Sequence, residues 1–560
     1  MSEEQTLAVN EPLKAGSNFL RGTLVESLHD PVTGNIAEGD TQLIKFHGCY
    51  VQDDRDLRQE RLKQKLEPLY SFLIRVRMAA GVCSPKQWLD LDRLAHSHAN
   101  GALRMTTRQT FQFHGVLKRD LRDTIYQINQ SLLDTIAACG DVNRNVMVNV
   151  LPERSDIHAE CYRWGQEISD HLLPKTTAYH EIWLGKTQVA GHQDSEPMYG
   201  DTYLPRKFKI GIAIPPQNDI DVFSQDIGLI AVIKNDQLTG FNVAIGGGLG
   251  RTHGDDGTYA RLGSVIGFVL PEQVVQTCEQ ILCIQRDHGN RYNRKNARLK
   301  YTIDRHGLEW FQQELNNRLG WKMPAERSYH FDTSGDQFGW VEDREGLGYY
   351  TLFVESGRVK DFDDYPLMTG LREIAQVLDG EFRLTGNQNV CIAGVKPEQR
   401  AQIDGLLKQY GLDSGIRQSN IRKASMACVG LPTCGLAMAE SERYLPSFVS
   451  SIEKLLGDVG LPDEPIIVRI TGCPNGCGRP SLAEIGLVGK SPGHYQLWLG
   501  ASPNGDRLNQ LYRDSVTEAQ MLEILSPMLE KFAATRIDGE RFGDFVYRSG
   551  YIDDATGYEI

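Results

Sequence analysis

The chain has 560 residues, 40% hydrophobic and 24% charged with 55 glycines, a globular balance at a length that calls for about three domains or more. A formal net charge of -13 argues against nucleic acid as the main partner, though it leaves room for a local basic pocket. The acidic start Met1-Ser2-Glu3-Glu4-Gln5 lacks the basic-then-apolar order of a signal peptide, and apolar runs such as 228–233 are strand-length, so a soluble cytoplasmic protein with no membrane contact is expected.

In chain order, residues 1–38 are Gly- and polar-rich with isolated apolar residues (Leu13, Phe19, Leu20, Leu24), the composition of a segment that folds against something else. A dense motif follows, Phe46-His47-Gly48-Cys49-Tyr50, and then Gln52-Asp53-Asp54-Arg55. Residues 59–66 predict a charged helix, stopped by Pro68 before a first strand at 70–78. Pro85-Lys86-Gln87-Trp88 marks a helix start, since proline is tolerated in the first turn. Amphipathic stretches at 119–138, 271–286 and 445–456 alternate with short Val/Ile/Leu strands, which gives mixed α+β layers.

The chain repeats itself. Gly101-Ala-Leu-Arg104-Met-Thr106-Thr-Arg108-Gln109 matches Gly380-Glu-Phe-Arg383-Leu-Thr385-Gly-Asn387-Gln388, and a Gly-Val pair follows each. A second echo pairs Asp226-Ile-Gly-Leu229 through Gly246 with Glu484-Ile-Gly-Leu487 through Gly500. Both run in the same order, which implies a duplicated unit, each half a small α/β module followed by a larger one.

Eleven cysteines in so long a chain are not a disulfide framework, and in a reducing compartment they are thiols or metal ligands. Four stand out. Cys428 and Cys434 are spaced C-x5-C, and Cys473 and Cys477 lie C-x3-C in the turn-rich Thr471-Gly-Cys-Pro-Asn475-Gly-Cys-Gly-Arg-Pro480. Pro432-Thr433 predicts a helix N-terminus at Cys434, favouring thiolate, and the glycines let backbone amides approach inorganic sulfides. Structural zinc is the sharper rival, although zinc knuckles favour C-x2-C or C-x4-C turns, and buried core thiols are the bland one. Cys49, Cys83, Cys139, Cys161, Cys278, Cys283 and Cys391 are scattered singly, as small buried hydrophobes are.

This cysteine arrangement resembles the signature of the siroheme-dependent nitrite and sulfite reductases, and the likeness runs along nearly the whole chain, through Arg104–Gly115, Asn143-Arg144-Asn145 and Leu204-Pro-Arg-Lys207-Phe-Lys209. It implies an α+β, internally duplicated three-domain fold with a pseudo-twofold repeat. It further implies a docking segment at 1–70, paired ferredoxin-like half-repeats at 71–136 and 340–412, a siroheme- and substrate-binding lobe at 137–339, and a cluster lobe at 413–560. The implied cofactors are siroheme and a 4Fe–4S cluster on Cys428, Cys434, Cys473 and Cys477, with Cys477 also axial to the siroheme iron. The implied reaction is the assimilatory six-electron reduction of sulfite, with an NADPH-oxidising flavoprotein as partner and its N-terminal segment helping to dock it. Nitrite is the near alternative, and an iron–sulfur electron carrier the alternative of a different class.

A site that holds sulfite and sheds its oxygens as water needs cationic donors. Arg77, Arg144, Lys207 and Lys209 match the family's substrate positions. Lys207 and Lys209 are two apart on a predicted strand and share a face; lysine releases protons where arginine anchors. Siroheme's eight carboxylates need more donors, and Arg104, Thr106, Arg108, Gln112 and His114 alternate along the matching segment. Thr471 and Asn475 stand in the cysteine loop. Arg291, Arg294, Lys295, Arg298 and Lys300 form a further basic cluster, in which Arg298 replaces a family lysine. In the second copy Arg108 corresponds to Asn387, and Phe111-Gln112-Phe113-His114 becomes Val390-Cys391-Ile392-Ala393. One working site per chain is expected, with the second copy structural.

Overall fold

The computed structural model describes residues 6–150, 155–175, 182–184, 187–190 and 196–552; residues 1–5 of the N-terminal segment lie outside them. Four five-stranded sheets carry the architecture, and they fall into two matched pairs. Sheet I runs Cys49–Asp53, Tyr70–Arg75, Phe111–Val116, Leu103–Met105, Arg358–Val359, and sheet II runs Gly339–Glu342, Gly348–Leu352, Val390–Val395, Glu381–Leu384, Val82–Cys83. The last strand of each sheet comes from the other copy. Arg358–Val359 pairs antiparallel with Leu103 and Arg104, and Val82–Cys83 pairs with Phe382 and Arg383.

The exchange is built on one turn, used twice. Gly81 and Gly357 both sit at φ 71°, where an L side chain is strained. A Cβ on Gly81 would lie 2.7 Å from Gln109 Cβ, and one on Gly357 3.0 Å from Gln388 Cβ. Gln109 Nε2 donates to the Val148 carbonyl at 2.6 Å and Gln388 Nε2 to the Ala427 carbonyl at 3.0 Å. The duplicated motif is therefore a pseudo-twofold crossing. Trp88, whose ring centroid lies 5.3 Å from Phe111 and 4.4 Å from Phe382, fills the single core between the two sheets. Its helix, Pro85–His98, starts where Pro85 predicts, under a Ser84–Gln87 capping box.

Sheet III runs Met147–Val148, Ile210–Ala213, Ile227–Lys234, Gln237–Ile245, Ser264–Val269; sheet IV runs Met426–Ala427, Val468–Thr471, Ile485–Ser491, His494–Leu499, Gln510–Val516. In each, the first three strands are parallel and the rest antiparallel. The long helices Val274–His288 and Leu308–Leu319 pack on sheet III, and Leu445–Asp458 and Glu518–Thr535 on sheet IV. The fold is α+β and internally duplicated, as expected. The predicted helix at 59–66 is found at Arg58–Lys63, and the predicted strand at 70–78 ends at Arg75 and is preceded by Cys49–Asp53.

The N-terminal segment folds against its own chain. Leu20, Leu43 and Phe46 enter the sheet III core. Lys14, 3% exposed, donates to Glu11 at 2.7 Å and to the Leu204 carbonyl at 2.8 Å. Among the described residues no helix is long and apolar enough to cross a membrane.

Candidate active site

The four cysteines stand at the carboxyl ends of the parallel strands of sheet IV, where open sheets place their sites. Cys428 follows Met426–Ala427, and its sulfur accepts from Gly472 N–H at 3.2 Å and Thr471 Oγ1 at 3.5 Å. Asn475 Nδ2 donates to Cys473 Sγ at 3.7 Å. No helix begins at Cys434, contrary to the expectation from Pro432-Thr433: residues 431–437 are successive turns, and the next helix starts at Leu445. Turn amides do the same work, since the Leu436 and Ala437 N–H groups point at the Cys434 thiol. Burial pushes Cys473 up to about 12, and next comes the charge of Cys477, with Cys428 and Cys434 adding to it. The four sulfurs thus share one pocket.

Four thiolates 2.3 Å from one zinc would lie within about 3.8 Å of each other. Among the described residues no three His, Cys, Asp or Glu side chains gather closely enough to hold a single ion. Convergent thiols with amide N–H groups turned onto the sulfurs suit an iron–sulfur cluster.

Cys477, the exposed member of the set, opens onto a cleft lined by Arg108, Lys207, Lys209, Arg298, Arg479 and Asn475 among others. Lys207 and Lys209 come from the extended segment just before Ile210–Ala213 rather than from the strand itself; Phe208 between them bridges to Asn143, which turns both lysines the same way. Neither side chain makes a hydrogen bond or ion pair with another described residue, although the Lys209 carbonyl accepts from Ile227 N–H at 3.0 Å. Burial, then Arg206 and Arg144, pushes Lys207 down to about 7, and burial with the charge of Lys207 holds Lys209 well below the usual lysine value. Arg108 donates to Gln225 Oε1 at 2.5 Å and to the Ile210 carbonyl at 3.0 Å, and Arg298 to Asp226 at 2.6 Å. Both keep a buried Nε without a partner, as does Arg479. Gly248 makes room for Arg298: a Cβ there would meet its Nη1 at 2.7 Å. Unpaired cationic donors around a thiol suit a polyanionic macrocycle and an oxyanion.

The remaining expected residues stand behind this wall. Arg144 donates to the Gly140 carbonyl at 3.1 Å and bonds the Tyr50 hydroxyl, close enough to feel Cys139. Arg77 is turned to Ser169, at 2.7 Å from its carbonyl, and to Asp170 at 3.3 Å, and does not line the cleft. Arg104 joins Glu442 at 2.8 Å and the Ala427 carbonyl at 2.9 Å. Thr106 Oγ1 accepts from Arg108 N–H at 3.1 Å. Gln112, its carboxamide oxygen facing Arg75, accepts from Arg75 Nε at 2.9 Å. His114 lies 3.2 Å from Gln52 Oε1, and burial, then Arg358 and Arg104, keeps the imidazole neutral, well below its usual value. Within the basic cluster only Arg298 reaches the cleft; Arg294 clamps Asp141 at 2.7 and 2.9 Å, and Lys300 holds the Gly248 and Gly250 carbonyls.

Sequence reasoning passed over Arg479, two residues beyond Cys477 in the quoted loop. It sits at φ 55° and is 2.9 Å from Asp221, its counterpart at φ 49° in the first copy, so the pair straddles the pseudo-twofold axis. The axis also shows what each copy lacks. Asn149 occupies the first-copy place of Cys428: its Oδ1 accepts from Ile214 N–H at 2.9 Å as Cys428 Sγ does from Gly472. Around Asn387 the place of the cationic wall is filled by Asp336, which accepts from Thr385, Asn387 and Asn389 at 2.6, 3.0 and 2.7 Å.

The nitrite/sulfite reductase ferredoxin-like half domain matches residues 64–129 and 341–410, and the nitrite and sulphite reductase 4Fe-4S domain matches 164–323. The chain belongs to the nitrite and sulphite reductase family. Relatives named sulfite reductase (NADPH) hemoprotein beta-component are 56% identical in Oceanobacillus iheyensis, over 97% of this chain and 94% of that one, and 56% in Staphylococcus haemolyticus, over 100% and 98%. In Geobacillus thermodenitrificans the figure is 57%, over 98% and 96%. The solved structure of Mycobacterium tuberculosis NirA superposes with a TM-score of 0.79 at 24% identity over 98% of each chain, a likeness of fold. The 4Fe-4S family match falls on the sheet III lobe, which carries none of the four gathered cysteines; the shared strand order of sheets III and IV explains why one domain model recognises it.

Proposed function

We propose that the chain is the hemoprotein subunit of an assimilatory sulfite reductase. It takes electrons from an NADPH-oxidising flavoprotein and works in the cytoplasm. The observation that carries this is the opening of Cys477, one of four gathered thiols, onto the same cleft as Lys207, Lys209, Arg108 and Arg298. Cys428, Cys434, Cys473 and Cys477 would hold a 4Fe–4S cluster, with Cys477 shared with the siroheme site, and these groups would supply the low-potential electrons. Arg108, Arg298 and Arg479 hold the macrocycle's carboxylates from the cleft wall, backed by Arg104, Thr106, Gln112, His114, Thr471 and Asn475.

Lys207 and Lys209 bind the sulfite dianion and donate protons to its departing oxygens. Burial first, and then the neighbouring cations, lower their affinity for a proton and make them better acids near neutrality. Arg144 is the fixed anchor, oriented by Gly140 and Tyr50. Arg77, which matches a second substrate position of the family, is the further anchor, although in the structure its guanidinium is held by Ser169 and Asp170. The domain limits 1–70, 71–136 with 340–412, 137–339 and 413–560 belong to the same proposal, supported by the pairing of the sheets.

The test is a spectrum followed by an assay. The purified protein should show a Soret-like band with a strong red band, and should reduce sulfite to sulfide with reduced methyl viologen at higher kcat/KM than nitrite. A broad brown shoulder alone would mean an electron carrier, and preference for nitrite would move the chain to the other half of its family.

A further inference from the structure

The helix Arg58–Lys63 buries none of its side chains. Its length is far below the ~12–15 residues an isolated helix needs in water, and it is held from its ends. Arg58 pairs with Asp53 at 2.5 and 2.7 Å, and Arg61 Nε reaches the Glu67 carbonyl at 2.7 Å. Leu57, Leu62 and Leu66 are nevertheless 41%, 68% and 48% exposed. A single exposed leucine is ordinary, but three on one short charged segment mark a contact surface.

The place where this segment is pinned indicates what it serves. Just before the helix, Arg55 N–H donates to the Pro432 carbonyl at 3.3 Å, and the Arg55 guanidinium clasps the carbonyls of Cys434, at 3.3 Å, and Ala437. Asp56 pairs with Arg443 at 2.7 Å. The segment thus lies on the outside of the loop that carries Cys434, and on that loop Leu436 is 67% exposed. Residues 57–66 hold Arg58, Arg61, Lys63 and Lys65 against Glu60 alone, in a chain whose net charge is -13. Apolar side chains in a basic rim complement an acidic rim around an apolar redox centre.

We propose that residues 55–66 and the Cys434 loop form the electron-entry face, docked by the acidic surface around the flavin of the electron-donor subunit. This rests on the sulfite reductase reading of the site. Each encounter oxidises the reduced flavin by one electron and reduces the cluster by one, NADPH being the source. Only the Cys434 turns separate the docked surface from the thiols.

The experiment uses the holoenzyme and two exposed-surface variants, the double variant Leu62→Asp/Leu66→Asp and, separately, Leu57→Asp. Sulfite reduction is measured with NADPH and increasing flavoprotein, and again with reduced methyl viologen; flavoprotein binding is titrated without turnover. Both variants should raise the half-saturating flavoprotein concentration about tenfold or more while viologen turnover and the siroheme spectrum stay unchanged. Lys63→Glu with Lys65→Glu should weaken coupling further and flatten its salt dependence. Leu132→Asp, at a 91% exposed leucine outside this face, should change nothing. Unchanged half-saturation in both variants, or an equal loss in Leu132→Asp, overturns the docking face. If the wild-type protein reduces no sulfite with viologen, the functional reading fails, and the binding titration alone then upholds or overturns the face.

Discussion

Lys209 is where burial and chemistry meet most closely. Its side chain has no partner among the described residues, the charge of Lys207 beside it, and Cys477 within electrostatic reach. A buried cation without a counter-charge is costly, so the fold retains it for an anion that arrives. Lys209→Ala should lower sulfite turnover by roughly 10²–10⁴-fold, the size of a lost general acid, and leave siroheme content nearly intact; steady-state assays beside the haem absorbance check both, and turnover within about threefold of wild type would remove the role. Motif spacing exposes the cysteines in the sequence, and the resemblance to the family points to both lysines, whose two-residue separation then puts them on one face. Arg479 is invisible in the same way: an arginine after a loop looks like any surface charge until its Asp221 partner and the axis are seen.

At the scale of elements, the duplication makes a controlled comparison inside one chain. Arg108 reaches the cleft, whereas Asn387 at the matching position is consumed by Ser334 and Asp336. Arg108→Ala should therefore impair siroheme retention and Asn387→Ala should not, as measured by haem content after gel filtration; equal loss would mean two working copies. The paired adjacent strands Leu103–Met105 and Arg358–Val359 carry a second device. Their arginines, Arg104 and Arg358, converge on Glu442 at 2.8 and 2.6 Å and clamp the half-repeats to the cluster lobe. Burial alone would raise the Glu442 carboxyl, but the two guanidiniums overcome it and hold the group down to about 2. A depressed carboxyl stabilises the fold above the unfolded value of 4.5 and loses that contribution as pH falls towards 2, about 3 kcal/mol in all. Glu442→Gln should lower the thermal midpoint at neutral pH, where it leaves two buried cations uncompensated, and shrink the acid sensitivity between those limits. The repeat was legible because whole motifs recur in order. The exchanged strands were not, since a two-residue strand has no period to read and its partner lies far along the chain, Arg104 for Arg358 and Arg383 for Val82.

Across the whole molecule, the N-terminal segment behaves differently from its composition. Isolated apolar residues in a polar stretch suggest a tail waiting for a partner, but Leu20 enters the sheet III core with Leu13 packed against it, and Ile36 enters the core between sheets I and II, while Val9, Val25 and Val32 stay exposed. Lys14 and Glu11 are buried together, with Arg291 closing on Glu11 and Asp141 on Lys14. Composition counts apolar residues without knowing how deep their slots are, so it could not separate the two outcomes. Deleting residues 2–38 would uncover those cores and remove Glu11 and Lys14, the partners of Arg291 and Asp141. The truncated protein should therefore melt at a lower temperature, retain less siroheme and lose viologen-driven and NADPH-driven sulfite reduction together. A truncation that kept its thermal midpoint and viologen activity, and lost coupling to the flavoprotein alone, would show that these residues serve the partner more than the fold.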